Sequence, residues 1–171
     1  NWAIAAGDID LDGNIDIFTH DNRVDRFGNQ VDWAFEQPIW SLLAIADIND
    51  DDYPELVGGF NKVYVVNHNG NSINEWIWKG ENTLYDGNPV VGDVDDDGDM
   101  EILIGTSQKS KVYAFHHNGS FLEGFPKDIQ GHSENLLIDD LDGDGDIEII
   151  ASGSGYIYVW NVNGRYDTSS V

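Results

Sequence analysis

Four acidic nonapeptides, each set between two short apolar runs, constrain this chain more than any other feature. They are Asp8-Ile9-Asp10-Leu11-Asp12-Gly13-Asn14-Ile15-Asp16, Asp47-Ile48-Asn49-Asp50-Asp51-Asp52-Tyr53-Pro54-Glu55, Asp93-Val94-Asp95-Asp96-Asp97-Gly98-Asp99-Met100-Glu101 and Asp140-Leu141-Asp142-Gly143-Asp144-Gly145-Asp146-Ile147-Glu148. Their first residues lie 39, 46 and 47 positions apart, a spacing that belongs to repeat architectures. Oxygen side chains recur at positions 1, 3, 5 and 9 of every copy. That donor set suits a hard divalent cation, Ca²⁺ above others, because calcium accepts six to eight oxygens at flexible geometry.

The flanks repeat with the loops. An apolar run precedes each one (Trp2–Ala6, Leu42–Ala46, Val90–Val91, Leu136–Ile138) and another follows (Ile15–Phe18, Glu55–Val57, Glu101–Ile104, Glu148–Ala151). Short runs, rich in β-branched residues and bounded by Gly and Asp, predict strands. A third strand then ends in an Asn-Gly pair at Asn69-Gly70, Asn118-Gly119 and Asn163-Gly164, for which a type I′ hairpin turn is expected. The first unit is degenerate there, with Arg23–Phe27 as its third strand, Gly28-Asn29 as its turn and Val31–Phe35 as its outer strand. Ile73–Trp78 and Phe121–Phe125 are the outer-strand candidates of the next two units. Each loop pairs with an apolar position 2, at Ile9, Ile48, Val94 and Leu141, expected to face the core.

Four hairpin-linked antiparallel strands per unit predict an all-β fold of the β-propeller type. The expected blades are 1-38, 39-86, 87-131 and 132-171 of a single domain, 1-171. The last blade is expected to be incomplete, since Arg165–Val171 offers at most a frayed fourth strand. The units either close a small four-bladed ring or form an arc of a larger propeller. Trp2 starts directly in an innermost strand with no spare outer strand ahead of it, which favours the arc. The chain opens at Asn1 without Met and without a basic, apolar leader, and reads as a mature or excised piece of something longer.

Eight Lys and Arg stand against 32 Asp and Glu, a formal net charge of −24. This balance argues against a nucleic-acid partner. Ligand positions 1, 3, 5 and 9 hold four, three, four and four of those acids in the successive loops. Carboxylates crowded into one turn repel each other unless a cation intervenes. No run of 18 apolar residues predicts a membrane span, and with no cysteine disulfides say nothing about compartment.

An EF-hand also opens D-x-D-x-D-G, but it needs a glutamate at position 12 and flanking helices. Here position 12 is Thr19, Gly58, Ile104 and Ala151, and strands flank the loop. The pattern of apolar strand, D-x-D-x-D-G-x-x-D/E and apolar strand, carried by all four units, resembles the calcium-binding FG-GAP/VCBS repeats of integrin α-chain propellers and many secreted microbial proteins. The resemblance implies one Ca²⁺ per blade, up to four. It implies ligands Asp8, Asp10, Asp12, Asn14 and Asp16 in the first loop and Asp47, Asn49, Asp51, Tyr53 and Glu55 in the second. In the third they are Asp93, Asp95, Asp97, Asp99 and Glu101, and in the fourth Asp140, Asp142, Asp144, Asp146 and Glu148. Asn14, Tyr53, Asp99 and Asp146 would act through backbone carbonyls. The second loop departs most, with Asp52 in place of glycine and Pro54 at position 8, and is the weakest candidate. The Phe-Gly and Gly-Ala-Pro words of the integrin repeats are missing apart from fragments such as Gly58-Gly59-Phe60, so integrin-like ligand recognition is not implied.

The expected role is a calcium-stabilised, non-catalytic module, secreted or on the cell surface, that binds a protein or carbohydrate or scaffolds a larger assembly. Two rivals belong to other classes. One is the propeller part of a polysaccharide-active lyase or hydrolase, the other a subunit of a filament or adhesin self-associating through the unfinished last blade. No catalytic constellation is present; Ser152-Gly153-Ser154-Gly155 lacks the G-x-S-x-G pattern and reads as a turn. Trp76, Trp78, Trp160, Tyr64, Tyr113 and Tyr158 fall in expected strands and read as packing residues, whereas Trp33 and Trp40 are the candidates for an exposed sugar platform. His68, His116 and His117, beside the Asn-Gly turns, read as hairpin-tip polar residues.

Overall fold

The computed structural model describes residues 4–19, 22–33, 43–59, 62–73, 87–133, 135–162 and 167–169, and among them fifteen short strands carry the apolar runs of the sequence. No helix occurs among these residues. The strands form four antiparallel sheets in chain order. The first holds β1 (Ile4–Gly7), β2 (Asp16–Thr19), β3 (Arg23–Val24) and β4 (Gln30–Val31). The second holds β5 (Ala44–Ala46), β6 (Glu55–Gly59) and β7 (Val63–Val66). The third holds β8 (Val90–Gly92), β9 (Glu101–Gly105), β10 (Lys111–Phe115) and β11 (Lys127–Asp128). The fourth holds β12 (Leu136–Asp139), β13 (Glu148–Gly153), β14 (Tyr156–Asn161) and β15 (Asp167–Ser169).

Within each sheet the strands pair in sequence order, so the meander is set by local hairpins. The four acidic loops occupy the same connection, first strand to second. The first strands in turn lie beside one another, β1 against β5, β5 against β8 and β8 against β12. The sheets therefore stand in a row, with equivalent loops at equivalent places.

Three apolar clusters glue the row. Ile9 and Phe18 of the first unit pack with Leu56, Tyr64 and Val66 of the second. Ile48, Val57, Val63 and Val65 of the second meet Ile102, Ile104, Tyr113 and Phe115 of the third. Val94, Leu103, Val112 and Ala114 of the third meet Leu136, Ile149, Ala151 and Trp160 of the fourth. Alternation along each strand sends successive side chains to opposite faces. Leu103 thus points to the following sheet while Ile102 and Ile104 point to the preceding one. Such strands are buried on both faces and read as unbroken apolar runs.

Several expectations need correction. Leu141 does not face the core and is 55% exposed, although Ile9, Ile48 and Val94 are all buried. Position 2 packs against the next sheet, and no described sheet follows the fourth. The last unit has a fourth strand: β15 pairs with β14 through Tyr158 opposite Ser169 and Trp160 opposite Asp167. The third unit's outer strand is β11 rather than Phe121–Phe125. Gly124 at φ 81° and Pro126, which has no N–H, break the ladder after a single bridge of Phe121 to Phe115. Of Ile73–Trp78, residues 74–78 lie outside the described residues; Ile73 N donates to Val65 O at 2.9 Å, as an outer strand would begin. The turns of the first three units are also not type I′, and the expected turn at Asn163-Gly164 lies outside the described residues. In each of the first three units only the glycine is left-handed (Gly28, Gly70, Gly119), and its N–H closes onto the carbonyl three residues back, at Asp25, Asn67 and His116. One left-handed residue suffices for this three-residue loop.

The sheets approach too closely for a side chain at some glycines. A Cβ on Gly105 would sit 2.0 Å from the backbone oxygen of Ser133 in the segment leading to the fourth sheet. Gly105→Ala is expected to lower stability by roughly 1–3 kcal/mol, the range for overpacking, read as a reduced urea midpoint at unchanged m-value.

Candidate metal centres

Each acidic loop is knotted by its own amides. The position-1 carboxylate accepts two backbone N–H groups in every copy. Asp8 takes those of Asp12 (3.0 Å) and Gly13 (2.9 Å). Asp47 takes those of Asp51 (3.2 Å) and Asp52 (3.0 Å), and Asp93 those of Asp97 (3.2 Å) and Gly98 (3.1 Å). Asp140 takes those of Gly143 (2.7 Å) and Gly145 (3.1 Å). Position 5 then accepts the N–H of position 7 in all four: Asn14 to Asp12 at 2.8 Å, Tyr53 to Asp51 at 2.9 Å, Asp99 to Asp97 at 2.9 Å and Asp146 to Asp144 at 3.0 Å. Two left-handed residues make this turn. Position 6 is one (Gly13 at φ 83°, Asp52 at 71°, Gly98 at 94°, Gly145 at 96°). Position 4 is the other (Leu11 at 55°, Asp50 at 56°, Asp96 at 59°, Gly143 at 80°). Asp52 adopts the conformation its glycine counterparts do, so the second loop keeps the common turn.

Position 9 brings a carboxylate into the base of the loop from the start of the second strand. Asp16, Glu55, Glu101 and Glu148 are all buried, Glu55 and Glu101 completely. The three glutamates each accept the N–H of position 2: Ile48 to Glu55 at 3.0 Å, Val94 to Glu101 at 3.0 Å and Leu141 to Glu148 at 2.9 Å. Their other oxygens diverge. Glu148 Oε1 accepts from Asn161 Nδ2 at 2.9 Å, Glu101 Oε1 lies 3.2 Å from His116 Nδ1, and Glu55 Oε1 is buried with no hydrogen-bond partner. Burial pushes Glu55 up to about 7, helped by the charges of Asp51 and Asp47. Burial likewise pushes Glu101 up to about 7, with Asp95 adding to it, and raises Asp95 itself, with Asp97 adding to the shift. These carboxylates are short of positive charge.

The first loop differs. Arg23, itself buried, donates through Nη2 to Asp10 Oδ2 and, at 2.5 Å, to Asp16 Oδ2. Burial alone would raise Asp10, but the hydrogen bond and charge of Arg23 outweigh it and hold the carboxyl below its usual range. Arg26 donates to the side-chain oxygen of Asn14.

Carboxylate oxygens come within 4.8 Å of one another in three loops: Asp8, Asp10 and Asp12; Asp93, Asp95 and Glu101; and Asp140, Asp142 and Glu148. Asp95 and Asp97 also converge with His116. These groups can hold a metal ion. Position 3 of the second loop is an amide, and Asn49 Nδ2 bonds Asp51 Oδ2 at 3.1 Å.

The turn after the third strand reaches over the loops, which the repeat pattern alone did not reveal. Glu148 lies directly opposite Asn161 in the ladder. Ile102 pairs with Phe115, which sets Glu101 against His116. The next turn residue touches position 7: His117 Nδ1 is 2.7 Å from Asp99 Oδ2, and the His68 ring stacks on Tyr53 at 4.4 Å between centroids. The histidines are therefore neighbours of the loops rather than solvated tips. Aligning the turns against position 9 is the signal that finds them. Trp33 is half-buried edge-on to Phe18, with centroids 5.2 Å apart, and does not form an exposed platform; Trp40, Trp76 and Trp78 lie outside the described residues.

No protein-family model matches the sequence, and no curated protein matches it. Solved structures do. The chain is similar to the V. cholerae biofilm matrix protein Bap1 (TM-score 0.66, 22% identity, 98% of this chain and 27% of that one). It is similar to BBS1N, solved in complex with ARL6DN (TM-score 0.70, 14% identity, 99% of this chain and 56% of that one). A protein of unknown function from Bacteroides caccae is also similar (TM-score 0.54, 14% identity, 100% of this chain and 61% of that one). The chain thus spans less than two thirds of each of these proteins, and likeness at such identities extends to the fold alone: four antiparallel sheets of three or four strands in an all-β chain.

Proposed function

We propose that this chain is an arc of a β-propeller whose acidic loops are calcium-filled fasteners, and that it serves as a non-catalytic interaction or scaffolding module outside the cell. The observation that carries this reading is the buried position-9 glutamate. Glu55 Oε1 is sealed from solvent and unpartnered, at the base of a loop whose Asp47, Asn49 and Asp51 supply further oxygens. A lone buried carboxylate is costly and is normally paired or coordinated to metal. The donor set is oxygen throughout in the second and fourth loops, which is what calcium takes. In those loops Asp47, Asn49, Asp51 and Glu55, and Asp140, Asp142, Asp144 and Glu148, would hold the ion. Asp93, Asp95, Asp97 and Glu101 would hold it in the third. The ion would neutralise the loop and fix the first strand to the second.

The arc is supported by the uncovered faces at the two ends of the row. Leu137, Leu141 and Ile157 of the fourth sheet are exposed, and they correspond to Val90, Val94 and Val112, which pack against the fourth sheet. Further blades would cover them. The blades would run 1-38, 39-86, 87-131 and 132-171. Extracellular modules bind calcium at about 10⁻⁴–10⁻³ M, which fits a calcium-rich medium and hence a secreted or surface location. Any partner, protein or carbohydrate, would meet the loop faces.

Two measurements test the calcium reading. Thermal unfolding with millimolar calcium and with EDTA is expected to differ. At 10 mM calcium, about ten- to a hundredfold above such a Kd, each filled site adds roughly 1.4–2.7 kcal/mol, and about 2–4 °C follows per kcal/mol for a chain this size. An unchanged midpoint overturns the reading. The second is pH. In EDTA, Glu55 and Glu101 titrate near 7 when folded and near 4.5 when unfolded. The folded state then holds more protons between those values. Stability in chelator should fall as pH rises from about 4.5 to 7 and flatten above it, and saturating calcium should abolish the decline, read by urea unfolding across that range.

A further inference from the structure

We propose that Arg23 is the resident cation of the first acidic loop, a tethered guanidinium standing where the other three loops take a metal ion. The comparison with those loops rests on the calcium reading above; the ion pair itself does not.

Register makes the case before any side-chain contact. The turn that begins at Asp25 matches those at Asn67 and His116, so Arg23 stands where the second and third units have Val65 and Ala114. Val65 and Ala114 are 1% and 0% exposed in the core between sheets. A guanidinium at such a position cannot shed its charge, and leaving a buried charge unpaired is strongly unfavourable. Its guanidinium carbon lies over the Phe18 ring, 5.9 Å from the centroid. Its donors reach Asp10 and Asp16, ligand positions 3 and 9.

Two further features belong to this copy alone. Position 9 is aspartate here and glutamate in the other three loops. The glutamates reach the N–H of position 2, whereas the shorter Asp16 turns to the guanidinium. Arg26 adds a second guanidinium at Asn14, the position-7 residue. A divalent ion bound through positions 3 and 9 would compete with Arg23 for the same oxygens and be repelled by it. The oxygens of Asp8, Asp10 and Asp12 do remain within reach of one another, so an ion seated beside Arg23 is the alternative outcome.

Native mass spectrometry of the whole chain in calcium, with and without Arg23→Met, counts the ions directly. Methionine keeps an apolar stem at a core position and frees both carboxylates. Three ions in the wild type and four in R23M are expected. Four in the wild type, or an unchanged count in R23M with the far-UV circular dichroism of the parent, overturns the proposal. A wild type that binds none overturns the calcium reading instead, and the ion pair is then judged in EDTA. There R23M, Asp16→Asn and the double variant are expected to be non-additive, the double losing less of the melting temperature than the two singles together. Additive losses overturn the pairing whatever the metal count.

Discussion

The hydrogen bond between the position-9 glutamate and the amide of position 2 is the contact on which the second, third and fourth units depend. It spans the base of the acidic loop and ties the start of the second strand to the end of the first. The contact also holds position 2 in place to pack on the next sheet. Glu55 and Ile48 show the coupling: the glutamate accepts at 3.0 Å, and the isoleucine enters the cluster with Ile102 and Ile104. One buried acid thus organises a loop, a hairpin and a sheet–sheet contact. Its cost is a carboxylate in an apolar setting, and each unit offsets that cost differently. Arg23 does it in the first and Asn161 in the fourth, His116 contributes in the third, and the second leaves one oxygen unmatched.

The strands and loops were legible because their signals are local. The apolar runs that flank the acidic loops became strands with ends shifted by a residue or two, and the division into four sheets is visible in the loop spacing. The left-handed turn at position 6 also follows from the motif. The second left-handed residue was not legible. Leu11, Asp50 and Asp96 occupy position 4, and a leucine gives no sign that its backbone will enter a region L-residues avoid. The reason lies in the amides: the turn aims two N–H groups of each loop at the position-1 carboxylate, and those bonds repay a strained dihedral.

What escaped the sequence concerns cross-strand partners. Arg23, His116 and Asn161 act on loops that begin 15, 23 and 21 residues earlier; the ladder sets His116 and Asn161 against position 9, and Arg23, opposite Phe18, reaches it through its side chain. The composition read as acid crowded into loops; the structure adds that scarce positive charge is placed against one of them. Leu141 was misread for a similar reason. The loop pattern says that position 2 points away from the ligands, but whether that direction is core depends on a neighbouring sheet.

That dependence bears on how the row is held together. Each sheet has two apolar faces, and the three internal interfaces use equivalent residues on either side, with Leu103 matching Val57 and Phe18 on faces that look forward. A unit of this kind cannot be stable alone, because half of its apolar surface is supplied with cover by its neighbours. The loops counter a different weakness. Short strands of two to six residues give little ladder to resist the loop's own charge repulsion, which Arg23 offsets in the first unit. Apolar packing couples the sheets to each other, while the amide-to-carboxylate bonds of the loop hold each sheet's first hairpin together. Removing positive charge from one loop should therefore loosen that unit first and reach its neighbour through the position-2 side chain.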